Sequence, residues 1–198
     1  MEISIILAHP SKGSFNHAIA DMAAHILRAN GHTINYHDLH AEQFDPILPA
    51  AECRKDASLP PVIQKYCDEI ARVDGIIVVH PNWWGQPPAI LKGWVDRVLR
   101  QGVAYVFGTN DKGEGISIGR LKARHALVFN TANTPADVEK KLYGDPLENL
   151  WKTCIFDLCG VKSFCRRLYT PVIVSSLDQR KTWLDDVRET VGRCFPSK

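Results

Sequence analysis

Apolar runs alternate along the chain with stretches whose apolar residues recur every three or four positions. The run "ISIILA" (3–8) suits a strand buried on both faces. Phe15, Ile19, Met22, Ile26 and Leu27 then fall at helical spacing, and "ANG" (29–31) supplies the stop. "HTINYHDL" (32–39) alternates apolar and polar side chains, as a strand nearer a sheet edge does. Residues 41–58 are polar and irregular and read as a surface excursion. Pro60 and Pro61 open a helix carrying Val62, Tyr66, Ile70 and Val73. Asp74-Gly75 turns the chain into "IIVVH", a third strand, and helical periodicity resumes over 88–99 with Leu91, Trp94, Val95 and Val98. "HALVFN" (125–130) predicts a fourth strand. Asp145-Pro146 starts a helix bearing Leu147, Leu150, Trp151, Cys154 and Leu158, which Cys159-Gly160 ends. "YTPVIVS" (169–175) predicts a fifth strand, and Ser176 with Gln179 caps a last helix carrying Leu184, Val187 and Val191.

Five strands separated by helices imply right-handed crossovers and a parallel sheet covered on both faces. The most apolar runs are the first, third and fourth, which places them centrally. The order is then 2-1-3-4-5, a flavodoxin-like α/β three-layer sandwich formed as a single domain over residues 1–198. In that arrangement ligands bind at the carboxyl ends of the strands, at the switch point beside strand 1.

Composition narrows the partners without naming one. A formal net charge of +2 gives no reason to expect nucleic acid. The longest apolar runs are strand-sized, far short of the roughly 20 residues that span a bilayer. No basic segment followed by an apolar one marks the start of the chain, and the six cysteines contain no C-x-x-C pair. The expectation is a cytoplasmic protein with reduced thiols. His32, His37, His40 and Asp38 cluster in sequence, but along one strand 32 and 40 face away from 37, which argues against a metal site.

The switch-point geometry directs attention to the loops after strands 1, 3 and 4. After strand 1, "AHPSKGSFNHA" (8–18) places Ser14, Asn16 and Lys12 where side-chain donors and the first free N–H groups of a helix can surround an anion. Plain helix capping by Ser14 accounts for the same residues. After strand 3, "HPNWWGQPPAI" (80–90) combines three stiffening prolines with Gly85 and the adjacent Trp83 and Trp84. Backbone amides in such a turn can meet the edge of a flat heterocycle while an indole covers its face; core anchoring is the competing use of the tryptophans. After strand 4, "FNTANTPAD" (129–137) is small and polar, and Thr131, Asn133 and Thr134 offer hydroxyl and amide partners. Together the three loops describe a site for a planar heterocycle carrying a phosphate, which suits a flavin better than a nucleoside triphosphate.

These residues resemble the NAD(P)H:quinone oxidoreductases of DT-diaphorase type, a family that includes ancillary oxidoreductases of bacterial potassium-efflux systems. The resemblance runs from "LAHPSKGSFNHA" to about Gly160. It is most specific in "PNWWGQPPAILKGWVDRV", followed by "AYVF" (104–107) and "DKG" (111–113). It implies an oxidoreductase that carries two electrons, as hydride, from NAD(P)H through flavin N5 to a quinone in a ping-pong cycle. It also implies a homodimer with shared active sites. By motif position, His9, Ser14, Phe15 and Asn16 would contact the phosphate arm of the cofactor. Pro81, Asn82, Trp83, Trp84 and Gly85 would line the isoalloxazine, with Asn130, Thr131, Ala132 and Asn133 at its polar edge. Tyr105 and Phe107 would correspond to an aromatic pair lent by the partner subunit to the substrate pocket, Tyr105 in a catalytic role.

The family's "H-G-D" reads "Y-G-D" here, so Tyr143 occupies the histidine's catalytic position and Asp137 that of a tyrosine six residues earlier. A phenol donates a hydrogen bond but does not exchange its proton near neutrality as an imidazole does. The insertion and C-terminal extension that help enclose an adenine in the larger enzymes are missing, which favours FMN, with FAD as the alternative. A regulatory flavin-binding subunit docked on a membrane transporter, with little turnover, is the rival from a different class.

Overall fold

A computed structural model describes residues 1–197. Its centre is β3 (Gly75–Pro81), whose seven residues are all buried, as the unbroken apolar run requires of a strand covered on both faces. On one side of it lie β1 (Glu2–Leu7) and then β2 (Thr33–Asp38). On the other lie β6 (His125–Thr131) and β7 (Ser163–Tyr169). All four pairings are parallel, and the order β2-β1-β3-β6-β7 is the expected 2-1-3-4-5 counted within the sheet.

Alternation along the strands divides the core in two. Ile6, Val78 and Val128 face α2 (Pro61–Arg72) and α3 (Ala89–Val98), together with the helical segment over 146–157. Ile5, Val79 and Phe129 face α1 (Phe15–Ala29) and α6 (Leu177–Cys194). Ser176 caps α6 by accepting a hydrogen bond from the Gln179 N–H, at 3.1 Å. Trp94 and Trp151 are core residues, each almost fully buried. Of the residues read as the inner face of α2, Val62 is exposed, and Ile63 and Cys67 are buried on that face instead. Among the described residues, no helix is long and apolar enough to cross a membrane.

The fifth strand departs from the sequence reading. It is Ser163–Tyr169, not 169–175. Pro171 has no N–H to give to a ladder, so the apolar "PVIV" that follows forms a loop with Ile173 and Val174 exposed. The true strand is an edge strand with a polar pattern that includes Arg166 and Arg167, so it lacks the apolar signature of its neighbours. A two-stranded antiparallel hairpin, β4 (Tyr105–Thr109) and β5 (Gly115–Gly119), stands outside the main sheet. Between β6 and β7 come α4 (Ala136–Tyr143) and α5 (Pro146–Asn149), and α5 runs on as π-helical turns over Leu150–Asp157.

The excursion over 41–58 is polar, yet it is pinned. Arg97 of α3 donates to both oxygens of Glu52, at 2.6 and 3.0 Å, and to the Asp45 carbonyl at 2.6 Å. Gly93 is the residue that lets this segment touch α3: a Cβ there would lie 2.2 Å from the Pro46 carbonyl oxygen. His37, on β2, is hydrogen-bonded to two carboxylates. Its Nδ1 lies 3.0 Å from Glu42 and its Nε2 2.9 Å from Glu69.

Candidate active site

The carboxyl ends of β1, β3 and β6 carry the three loops singled out from the sequence, and hydrogen bonds tie them together. The Asn16 amide donates to the Thr131 hydroxyl at 2.9 Å, joining the first turn of α1 to the end of β6. The Asn82 N–H donates to the Thr131 carbonyl at 2.7 Å, joining the loops after β3 and β6.

Two hollows meet along this junction and share Asn82, Ala132 and Asn133 as lining. The smaller, about 250 Å³, lies over the start of α1 and is lined by His9, Ser14, Phe15 and Asn16 with Pro81 and Trp83 opposite. Ser14 caps α1 by accepting from the His17 N–H. The same hydroxyl lies 2.8 Å from His17 Nδ1, and His17 Nε2 lies 3.2 Å from an Asp38 carboxylate oxygen. The remaining N–H groups of that first turn present partial positive charge, the ordinary basis of anion binding at a helix start. His9 has its ring 6.3 Å from that of Trp83, and burial holds its basicity below the ordinary value.

The larger hollow, about 650 Å³, runs outward between the Trp83–Gln86 turn and α4. Trp83 and Gln86 exchange backbone hydrogen bonds at 3.1 and 3.0 Å around Trp84 (φ +59°) and Gly85 (φ +70°). Two left-handed residues in succession make a tight turn of the I′ kind, a strained position for a bulky side chain. The Asn82 side chain steadies it by accepting from the Gly85 N–H at 3.0 Å. Trp84 is thereby held fully exposed at the tip. Gly85 packs against the start of α5 so closely that a Cβ would lie 2.9 Å from the Pro146 ring. Tyr143, at the end of α4, lines the opposite wall and is 58% exposed.

Beneath the floor lies a polar network that the sequence did not reveal. His80 is completely buried; that burial, with Arg166 nearby, pushes its pKa down to about 3, so the ring is neutral. Its Nδ1 donates to the Pro81 carbonyl at 2.8 Å, leaving Nε2 to accept from Trp151 Nε1 at 2.9 Å and from the Asn130 amide at 2.7 Å. Arg166 in turn donates to the Asn130 oxygen at 2.5 Å and to Asp145 at 2.8 Å. Asn130 is therefore a supporting residue under the crevice and not part of its wall. Asp145 gives α5 no side-chain cap; its carboxylate is spent on Arg166.

Tyr105 and Phe107 lie elsewhere, on the β4–β5 hairpin. Their rings are 5.5 Å apart, and Tyr105 borders a separate hollow with Leu48, Leu99 and Arg100. Neither lines the crevice of its own chain. Thr134, expected from the sequence as a polar partner, lines it, as do Gln86, Glu139 and Pro146, which were not singled out as site residues. The polar pattern of α4 carries no motif to flag Glu139, and Pro146 reads locally as a helix start.

A flavodoxin-like fold family model matches residues 1–190. The chain is 34% identical over 185 residues to an uncharacterised NAD(P)H oxidoreductase of Haemophilus influenzae, covering 91% of this chain and 89% of that one. The chain belongs to the flavodoxin-like NAD(P)H:quinone oxidoreductase family. Within that family it is 30% identical over 207 residues to the rat ribosyldihydronicotinamide dehydrogenase [quinone], covering 92% and 87% of the two chains. The solved structure of an NAD(P)H:quinone oxidoreductase from Methanothermobacter marburgensis superposes with a TM-score of 0.83 at 26% identity, over 98% of this chain and 96% of that one.

Proposed function

We propose that this chain is a flavin-dependent NAD(P)H:quinone oxidoreductase. The observation that carries the reading is the pair of contiguous hollows at the switch point, in a chain of this family. One hollow is built around a helix start and the other between a rigid aromatic turn and a polar loop. The residues fit a flavin. Ser14 and the first turn of α1 would hold its phosphate, and Pro81, Asn82, Trp83, Trp84 and Gly85 would flank its ring. Thr131, Ala132 and Asn133 would meet the polar edge, above Asn130. The modest space beside α1 supports FMN over FAD.

The flavin would supply reversible two-electron chemistry between a reduced nicotinamide and a quinone. The protein's own part is positional. The Trp83–Gln86 turn fixes one wall, Tyr143 presents a hydroxyl at the other, and the neutral His80 network ties the floor together. The crevice is open enough for a planar donor and a planar acceptor to take turns.

Phe107, Ile116 and Ile118 on the hairpin are exposed, as is Ile47 on the excursion. This apolar surface supports a homodimer in which the partner subunit covers it, bringing its own Tyr105 and Phe107 to the neighbouring crevice. The test is the visible spectrum of the purified protein together with NAD(P)H oxidation in the presence of menadione. A protein that takes up neither FMN nor FAD would overturn the reading. Flavin binding with negligible turnover would move it to the transporter-associated regulatory subunit.

A further inference from the structure

Glu139 is the group in the crevice whose chemistry nothing yet uses. It lies on α4, is only 6% exposed, and lines the 650 Å³ hollow beside Tyr143 and Pro146. Its carboxylate has no hydrogen-bond or ion-pair partner among the described residues, although it is not one of the side-chain groups sealed off without a partner. The lysines that follow it on α4 do not serve it: Lys141 pairs with Asp137 at 3.8 Å, and Lys140 borders a different hollow with Asp145 and Glu148. Among the described residues, no lysine or arginine lines the crevice.

A carboxylate that lines a crevice with no donor from the protein is free to accept a hydrogen bond from a ligand's N–H or O–H, or to pair with its positive charge. The same carboxylate repels an anionic ligand, and in a crevice open to solvent added salt screens that repulsion. Glu139 does not line the α1 hollow. It shares the lining of the larger hollow with Tyr143 and the exposed Trp84.

We propose that Glu139 selects the planar ring that exchanges in the crevice, accepting a hydrogen bond from an amide or hydroxyl on that ring and turning away rings with an anionic substituent. The inference rests on the reading that the crevice receives exchanging planar rings. The carboxamide of a reduced nicotinamide meets the requirement. The positive charge that ring acquires on giving up hydride is also of the sign a carboxylate stabilises.

Two redox-inert probes of one ring size, naphthalene-2-carboxamide and naphthalene-2-sulfonate, titrated calorimetrically into the purified protein with its bound flavin, test this. The wild type is expected to bind the carboxamide about tenfold or more tightly than the sulfonate, tenfold being ~1.4 kcal/mol. Glu139→Gln should shrink the gap to about twofold, because the amide keeps the shape and loses the charge. An unchanged gap in Glu139→Gln overturns the proposal. So does a variant that loses flavin affinity while the gap stays the same, since the carboxylate would then serve the cofactor. If the variant does not fold, the wild type alone decides: added salt should narrow the gap, and a salt-independent gap overturns the proposal. A wild type that carries no flavin but still discriminates would sink the redox reading and leave the assignment of Glu139 standing.

Discussion

Arg166 of β7 holds Asp145, at 2.8 Å, in the left-handed residue that precedes α5. The pair places Pro146 against Gly85 and so couples the edge strand to the aromatic turn after β3. The Arg166 side chain is 5% exposed, so the ion pair is deep enough for its loss to be felt.

Arg166→Met should destabilise the protein by about 3 kcal/mol, since it strips Asn130 and Asp145 of their donor. Urea unfolding followed by circular dichroism measures this. A loss below about 1 kcal/mol would show the network to be incidental.

Gly85→Ala should weaken flavin binding while leaving the sheet intact. A left-handed alanine costs roughly 1–2 kcal/mol, and its Cβ would press on the Pro146 ring. Fluorescence titration with FMN, beside a thermal melt, separates a displaced wall from general unfolding.

Trp83→Ala and Asn16→Ala should each lower flavin retention through gel filtration. The first removes a wall of the smaller hollow, and the second breaks the Asn16–Thr131 tie between two loops. Wild-type retention in both would mean that the loops do not hold the cofactor.

His37 and His80 should bend the stability profile in opposite directions. Burial disfavours a charged His37, but its hydrogen bonds to Glu42 and Glu69 outweigh that and push its pKa up from 6.5 to about 9. Its contribution is therefore complete below pH 6.5 and is lost as pH rises toward 9. His80, pushed down to about 3 by burial, refuses the proton that the unfolded chain accepts, so stability falls as pH drops below 6.5. Denaturant midpoints across pH should show His37→Gln flattening the alkaline limb and His80→Gln the acid limb. A His37→Gln profile parallel to the wild type would contradict the assigned pairing.

The parts of the fold that were legible share one property, a local apolar signature. β1, β3 and β6 are apolar runs because both their faces are covered, and Ser14 and Ser176 cap helices with contacts only three residues away. β7 was misplaced because an edge strand does not need that signature, and the more apolar "PVIV" beside it drew the assignment. In the β4–β5 hairpin β5 is exposed throughout and β4 is at most half-buried, which left no apolar alternation to read.

The same division runs through the site. Trp83, Trp84 and Gly85 stood out because an aromatic pair in a Pro/Gly-rich loop is locally odd, and Asn16 and Thr131 fell in loops that topology brings together. Asn130 was identified with the right loop and the wrong depth, since whether a strand-end side chain faces a ligand or the floor is set by the register with β3 and β7. By itself the sequence determined the layered α/β order, the family and the three loops that converge, because strand burial and turn chemistry act over a few residues. Only the tertiary structure decided that His80 stays neutral beneath the crevice, that Arg166 braces Asp145, and that Glu139 enters the wall with no partner among the described residues. Burial and charge pairing depend on what the other end of the chain brings alongside, and no local pattern records that.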